Sequence, residues 1–142
     1  MSNTISQLQA RAYRQSADKG FHDDEPALVA HLLATGHPKW AAMVQSRIDG
    51  NRIALMHSEL SEALEELRKG KRPNETYYPT IRSDESMLPT VQHKPKGVPS
   101  ELADVVIRVL DFCGANEIDL ESMIIEKLDY NATRGHKHGK KF

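Results

Sequence analysis

Cysteine, aromatic residues and long apolar runs are all scarce in this chain, and each scarcity narrows the possible functions. A single cysteine, Cys113, leaves no internal disulfide, which excludes a small disulfide-stapled scaffold. It sits in the apolar run VVIRVLDFC, where a buried free thiol in a reducing compartment is expected. No apolar stretch approaches the roughly 20 residues that span a bilayer. The opening MSNTISQLQARAYRQ has no apolar h-region, so no secretory signal and a cytoplasmic location are expected. The net charge of −1 gives little electrostatic reason to bind nucleic acid, although the last residues are locally basic. Neither nucleic acid nor membrane is an expected partner. Alternating runs of β-branched and aromatic residues are missing too, with only YYPTI reading as a short extended piece.

What is present is helical periodicity. The 142 residues, 39% hydrophobic and 27% charged, suit one soluble domain spanning 1–142. The first helix is expected over 4–18, stopped by Lys19-Gly20. The second runs from Asp24 to Ala34, started by Asp-Asp-Glu-Pro and stopped by Gly36. The third begins near Pro38 and reaches Lys69-Gly70, with a break expected around Asp49-Gly50. The fourth runs from Pro99-Ser100 to Gly114, and the fifth from Asp119 to Arg134-Gly135. Between the third and fourth lies a long connection, 70–99, that holds five of the seven prolines and is therefore read as functional or disordered. A basic tail, 135–142, closes the chain.

The third helix carries 57-HSELSEALEELRKGK-71. On a helical wheel Ile53, Met56, Leu60, Ala63, Leu64 and Leu67 form an apolar arc expected to face the core, and Glu59, Glu62 and Glu66 form a stripe beside it. Glu59 and Glu62 are three apart, hence neighbours that repel unless a cation lies between them. In 99-PSELADVVIRVLDFCG-114 apolar residues cover well over half the circumference, so this helix is expected to be buried on more than one side. Its narrow polar stripe nevertheless holds Glu101 and Asp104, again three apart, with Arg108 and Asp111. Carboxylates near a core are costly unless paired or metal-bound. Two such pairs facing each other would gather four hard oxygen donors suited to Mg²⁺ or Mn²⁺. The competing reading makes Glu59 and Glu62 a solvated face and Ser100-Glu101 a helix cap. Di-iron chemistry of the carboxylate-bundle type is disfavoured, because no glutamate has a histidine three residues later.

The final segment is 127-KLDYNATRGHKHGKKF-142. Lys127, Asn131 and Arg134 fall at i, i+4 and i+7, one face of a helix, with Leu120, Met123 and Ile124 continuing that face as core contacts. A cation, an amide and a guanidinium on one ridge suit an anionic, oxygen-rich ligand. The simpler alternative is that the cations complement the helix C-terminus and the tail is solvated. His136 and His138 read as an incidental pair rather than metal ligands.

The order Glu59-x-x-Glu62, Glu101-x-x-Asp104 and Lys127…Asn131-x-x-Arg134 resembles the MazG-like all-α nucleoside triphosphate pyrophosphohydrolases. The phrases LMHSELSEALEELRKGK, GVPSELADVVIRVLDFCG and YNATRGHKHGKKF carry the likeness over most of 54–142, while the first ~50 residues match only as helices of suitable length. The resemblance implies an all-α MazG-like bundle of about five helices, completed by oligomerisation into a homodimer or homotetramer. It implies cleavage of a (d)NTP between the α and β phosphates, giving a monophosphate and pyrophosphate, with Mg²⁺ (or Mn²⁺ in its place) held by Glu59, Glu62, Glu101 and Asp104. One of those acids would double as the base through water. Lys127, Asn131 and Arg134 would take the substrate phosphates, and Lys140 or Lys141 would fold over them. Many relatives open the first motif with two adjacent glutamates; here Ser58 stands at the first of these positions. For the base, Trp40, Phe21 and His22 offer stacking faces, although a lone Trp40 at a helix start reads more readily as a packing anchor; Tyr77 and Tyr78 are further candidates. The alternative function is a non-catalytic helical bundle that binds a nucleotide or a protein.

Overall fold

A computed structural model of the chain describes residues 4–79 and 94–135. Lys140, Lys141, His136 and His138 lie outside these residues, as does the 80–93 part of the 70–99 connection. The architecture is all-α: α1 (Ile5–Asp18), α2 (Asp24–Ala34), α3 (Pro38–Arg68), α4 (Val98–Ala115) and α5 (Leu120–Ala132). Among the described residues there is no strand, only one isolated antiparallel bridge between Tyr77 and Lys96. No helix among them is long and apolar enough to cross a membrane. The chain divides into two compact units, 1–21 with 110–142 and 22–109, and α4 runs through the boundary.

In the first unit Thr4 caps α1, its hydroxyl accepting from Gln7 N at 3.1 Å while Thr4 N donates to Gln7 Oε1 at 3.0 Å. Both the amide and the hydroxyl of Ser6 donate to Glu121 at the start of α5 (2.8 and 2.6 Å), and Gln9 donates to the Ile118 carbonyl (2.8 Å). Ser16 donates to Asp111 of α4 at 3.1 Å. At Gly114 the helices approach so closely that an added Cβ would fall 2.6 Å from Tyr13 Cβ. Cys113 is a buried free thiol, as expected, and burial raises its pKa. The fifth helix ends at Ala132, short of the expected Arg134-Gly135. Thr133 Oγ1 donates to the Tyr130 carbonyl at 2.7 Å, taking an acceptor that another turn would need.

In the second unit α2 and α3 form a helical hairpin. The turn Thr35-Gly36-His37 reverses the chain, with Gly36 at φ +77°, Gly36 N bonded to the Leu33 carbonyl and His37 N to the Leu32 carbonyl. Arg52 ties the middle of α3 to the start of α2 through Glu25 (3.2 Å) and His22 Nδ1 (3.1 Å). The break expected at Asp49-Gly50 does not occur: α3 is one helix of 31 residues. One internal glycine costs only about 1 kcal/mol relative to alanine. Continuous turns on both sides, the buried Ile48 and a Gln45–Asp49 side-chain bond of 3.0 Å are enough to carry the helix through.

The larger correction concerns which faces are buried. The apolar arc of α3 is not the core of the chain: Ile53, Leu60, Leu64 (53% exposed) and Leu67 are open, and only Ala63 is buried, with Met56 half-buried. Likewise α4 buries Val98, Leu110 and Cys113 but leaves Leu102, Val106 and Ile107 exposed, so it is not enclosed on several sides. The glutamates are inside instead. Glu59, Glu66 and Glu101 are all buried. A wheel reports periodicity and cannot tell which of two adjacent stripes meets the neighbouring helix.

Candidate metal centre

Three carboxylates converge in the second unit. Oxygens of Glu59 on α3 and of Glu101 and Asp104 on α4 all lie within 4.8 Å of one another. Spacing explains how: Glu101 and Asp104 stand one turn apart on one face of α4, and Glu59 faces them from α3. Arg108, the next residue on that face, donates through Nε to Glu59 Oε1 at 2.6 Å, and its terminal Nη2 contacts the same oxygen. Glu62 is not one of the three and is exposed, yet after burial its charge is the largest influence on Glu101. Glu59 thus meets Arg108, while the charge of Glu62 bears on Glu101. The next acid of the stripe, Glu66, lies outside the cluster. It accepts from Lys69 (2.8 Å) and Tyr77 OH (3.0 Å).

Glu101 is the telling residue. It is 6% exposed, and its Oε2 is a buried oxygen without a hydrogen-bond partner among the described residues. Burial pushes its pKa up, the carboxylates of Glu62, Asp104 and Glu59 push it further, and Lys94 partly offsets them. A buried carboxyl with an unpaired oxygen and like charges around it is unfavourable by itself, and a cation would relieve it. The donors are all hard oxygens. Ligands about 2.1 Å from a shared Mg²⁺ lie within about 4.2 Å of one another, so side-chain shifts of less than about 1 Å would close this set. The cluster is therefore able to hold a metal ion.

The other expected site residues are distributed differently. Lys127 and Asn131 share a face of α5 in the first unit. Arg134 follows two residues past the helix end, its amide bonded to the Asn131 carbonyl at 3.1 Å. Lys127 Nζ sits 5.5 Å from the Tyr130 ring centroid. Leu120 and Ile124 are half-buried, while Met123 is exposed rather than part of the core. Trp40 is 59% exposed, so it does not act as a packing anchor within the chain. It also stands 19 residues before Glu59 on the same continuous helix, about 28 Å away along the axis. It therefore belongs to no site built around these acids within one chain. Phe21 and Tyr78 are exposed, His22 accompanies Arg52, and Tyr77 is committed to Glu66.

Two participants escaped the sequence reading. Arg108 stood on the polar stripe of α4 without a role, although its place four residues after Asp104 marks it as a neighbour of the acids. Lys94 left no signal, because only the closure of the 70–99 connection brings it near Glu101. That closure is a compact neck. Tyr77 and Lys96 exchange backbone bonds (3.0 and 2.8 Å), and Lys71 Nζ lies 4.4 Å from the Tyr77 ring centroid and bonds to Glu75 (2.8 Å). Gly97 turns at φ +106° into α4. Ser100, read as part of a helix cap, instead donates its hydroxyl to the Pro95 carbonyl at 2.9 Å. Comparison with known protein families, with characterised proteins and with solved structures finds no match to this chain.

Proposed function

We propose that the protein is a Mg²⁺-dependent nucleotide pyrophosphohydrolase. It cleaves a (d)NTP to the monophosphate and pyrophosphate in the cytoplasm, as part of nucleotide-pool cleaning or adjustment. The observation that carries the reading is the convergence of Glu59, Glu101 and Asp104, together with a buried Glu101 Oε2 that has no hydrogen-bond partner among the described residues. These three residues would hold Mg²⁺, or Mn²⁺ in its place, with Glu62 at the exposed rim. A bound divalent ion supplies charge neutralisation on the triphosphate and lowers the pKa of a bound water. Glu62, close enough to bear on Glu101 and open to solvent, is the acid best placed to accept a proton from an attacking water. Lys127, Asn131 and Arg134, and Lys140 or Lys141 from the tail, would take the phosphate oxygens and the leaving pyrophosphate. The working unit is a homodimer or homotetramer, in which a second copy covers the exposed leucines of α3.

A second reading, a non-catalytic bundle that binds a nucleotide or a protein, draws on one observation. Arg108 by itself gives Glu59 a charged partner. A product-resolved panel of (d)NTPs with Mg²⁺ separates the two readings. Monophosphate plus pyrophosphate, lost on chelation, supports the enzyme; orthophosphate plus diphosphate excludes this mechanism; nucleotide affinity without turnover and indifferent to chelation supports the binding module.

A further inference from the structure

The guanidinium of Arg108 lies where a cation is wanted. It places Nε 2.6 Å from Glu59 Oε1 and brings Nη2 to the same oxygen, filling that acceptor, while Glu101 of the same cluster has a buried Oε2 without a partner among the described residues. The positive charge is thus held at one side of the three-acid group. Glu59 is 8% exposed and Arg108 considerably more, so the arginine is the member of the pair with room to move. A dication settling among Glu59, Glu101 and Asp104 competes for the oxygen that Arg108 holds, and it repels the guanidinium at that range. The planar fork set free has the geometry to bind two oxygens of a phosphate.

We propose that Arg108 is a resident counter-ion that a divalent cation displaces from Glu59, and that the released guanidinium then takes a phosphate oxygen of the anionic ligand. This rests on the metal-centred reading above and adds an ordered exchange to it: metal first, then anion. Arg108 is accordingly a positioning residue in the metal-free protein and a ligand-binding residue in the metal-loaded one.

The test uses Mn²⁺ binding followed by the electron paramagnetic resonance signal of the free ion, for the full chain and its R108Q and R108K variants. Inorganic pyrophosphate is then titrated calorimetrically into the Mn²⁺-loaded proteins. A displaced charged hydrogen bond predicts that R108Q binds Mn²⁺ about tenfold more tightly, with R108K in between, and binds pyrophosphate about tenfold more weakly once loaded. Unchanged or weaker Mn²⁺ binding in R108Q, with helicity by circular dichroism preserved, overturns the exchange, since Arg108 would then merely hold α3 to α4. Tighter Mn²⁺ binding with unchanged pyrophosphate affinity also overturns it. If R108Q fails to fold, R108K decides, because it keeps the charge and loses the fork. Absence of Mn²⁺ binding by the unaltered protein would overturn the metal-centred reading itself, and the exchange with it.

Discussion

At the scale of the residue, Glu101 concentrates the unfavourable energy of the site. Its carboxyl pKa is raised by burial and by neighbouring carboxylates. A group with a raised folded-state pKa contributes stability below its ordinary pKa and loses that contribution as pH rises through the raised value. Ionising Glu101 therefore works against the fold. E101Q is expected to raise the melting temperature of the metal-free protein at pH 7, by on the order of 1 kcal/mol in stability. It should also flatten the dependence of stability on pH across the acidic range and abolish any stabilisation by Mg²⁺, all readable by calorimetric scans with and without chelator. A variant that melts lower than the parent without metal would contradict the burial argument. The pairing of acids three residues apart was legible from the sequence, and three of the four expected ligands do converge. Which one stays at the rim was not, because it depends on the rotation of α3 against α4.

At the scale of the element, the neck of the 70–99 connection is held by a small set of coupled groups. Gly97 is required at its place: it adopts φ +106°, and a Cβ there would fall 2.2 Å from the Glu75 carbonyl oxygen. G97A is expected to cost at least about 2 kcal/mol in urea unfolding, with faster hydrogen exchange at the Tyr77 and Lys96 amides. Unchanged exchange would show that the bridge is not set by this turn. The neck also has a defined pH window. Glu66 is held below its usual pKa, chiefly by its bond to Lys69 and also by that to Tyr77, so its contribution is present above the ordinary carboxylate pKa and lost as pH falls through the lowered value. Lys69 is raised by Glu66, Lys71 by Glu75 and Tyr77 by Glu66, so their contributions hold below their ordinary pKa values and are lost as pH climbs through the raised ones. Amide exchange at Tyr77, corrected for its intrinsic pH dependence, should therefore be slowest in a plateau between the two limits. Sequence reading marked this connection only by its prolines. Glu66 meets Tyr77 11 residues on, and no helical period reports such a contact.

At the scale of the whole molecule, helix number and order were legible because capping signals and the glycines at 20, 36 and 70 punctuate the chain clearly. The placement of the core was not, since the leucine arc of α3 and its acidic stripe are adjacent and either could face inward. With Leu60, Leu64 and Leu67 exposed, the account expects a second copy to cover them. Light scattering should find the parent as a dimer or tetramer and L64E as a smaller species with retained helicity; a monomeric parent would remove this part of the account. Whether the three acids hold an ion is read from the anomalous difference map of crystals soaked in Mn²⁺. A peak bound by Glu59, Glu101 and Asp104, absent in E101Q, is expected. A map with no peak there at saturating Mn²⁺, or one showing Arg108 still on Glu59 with the ion bound elsewhere, would contradict it.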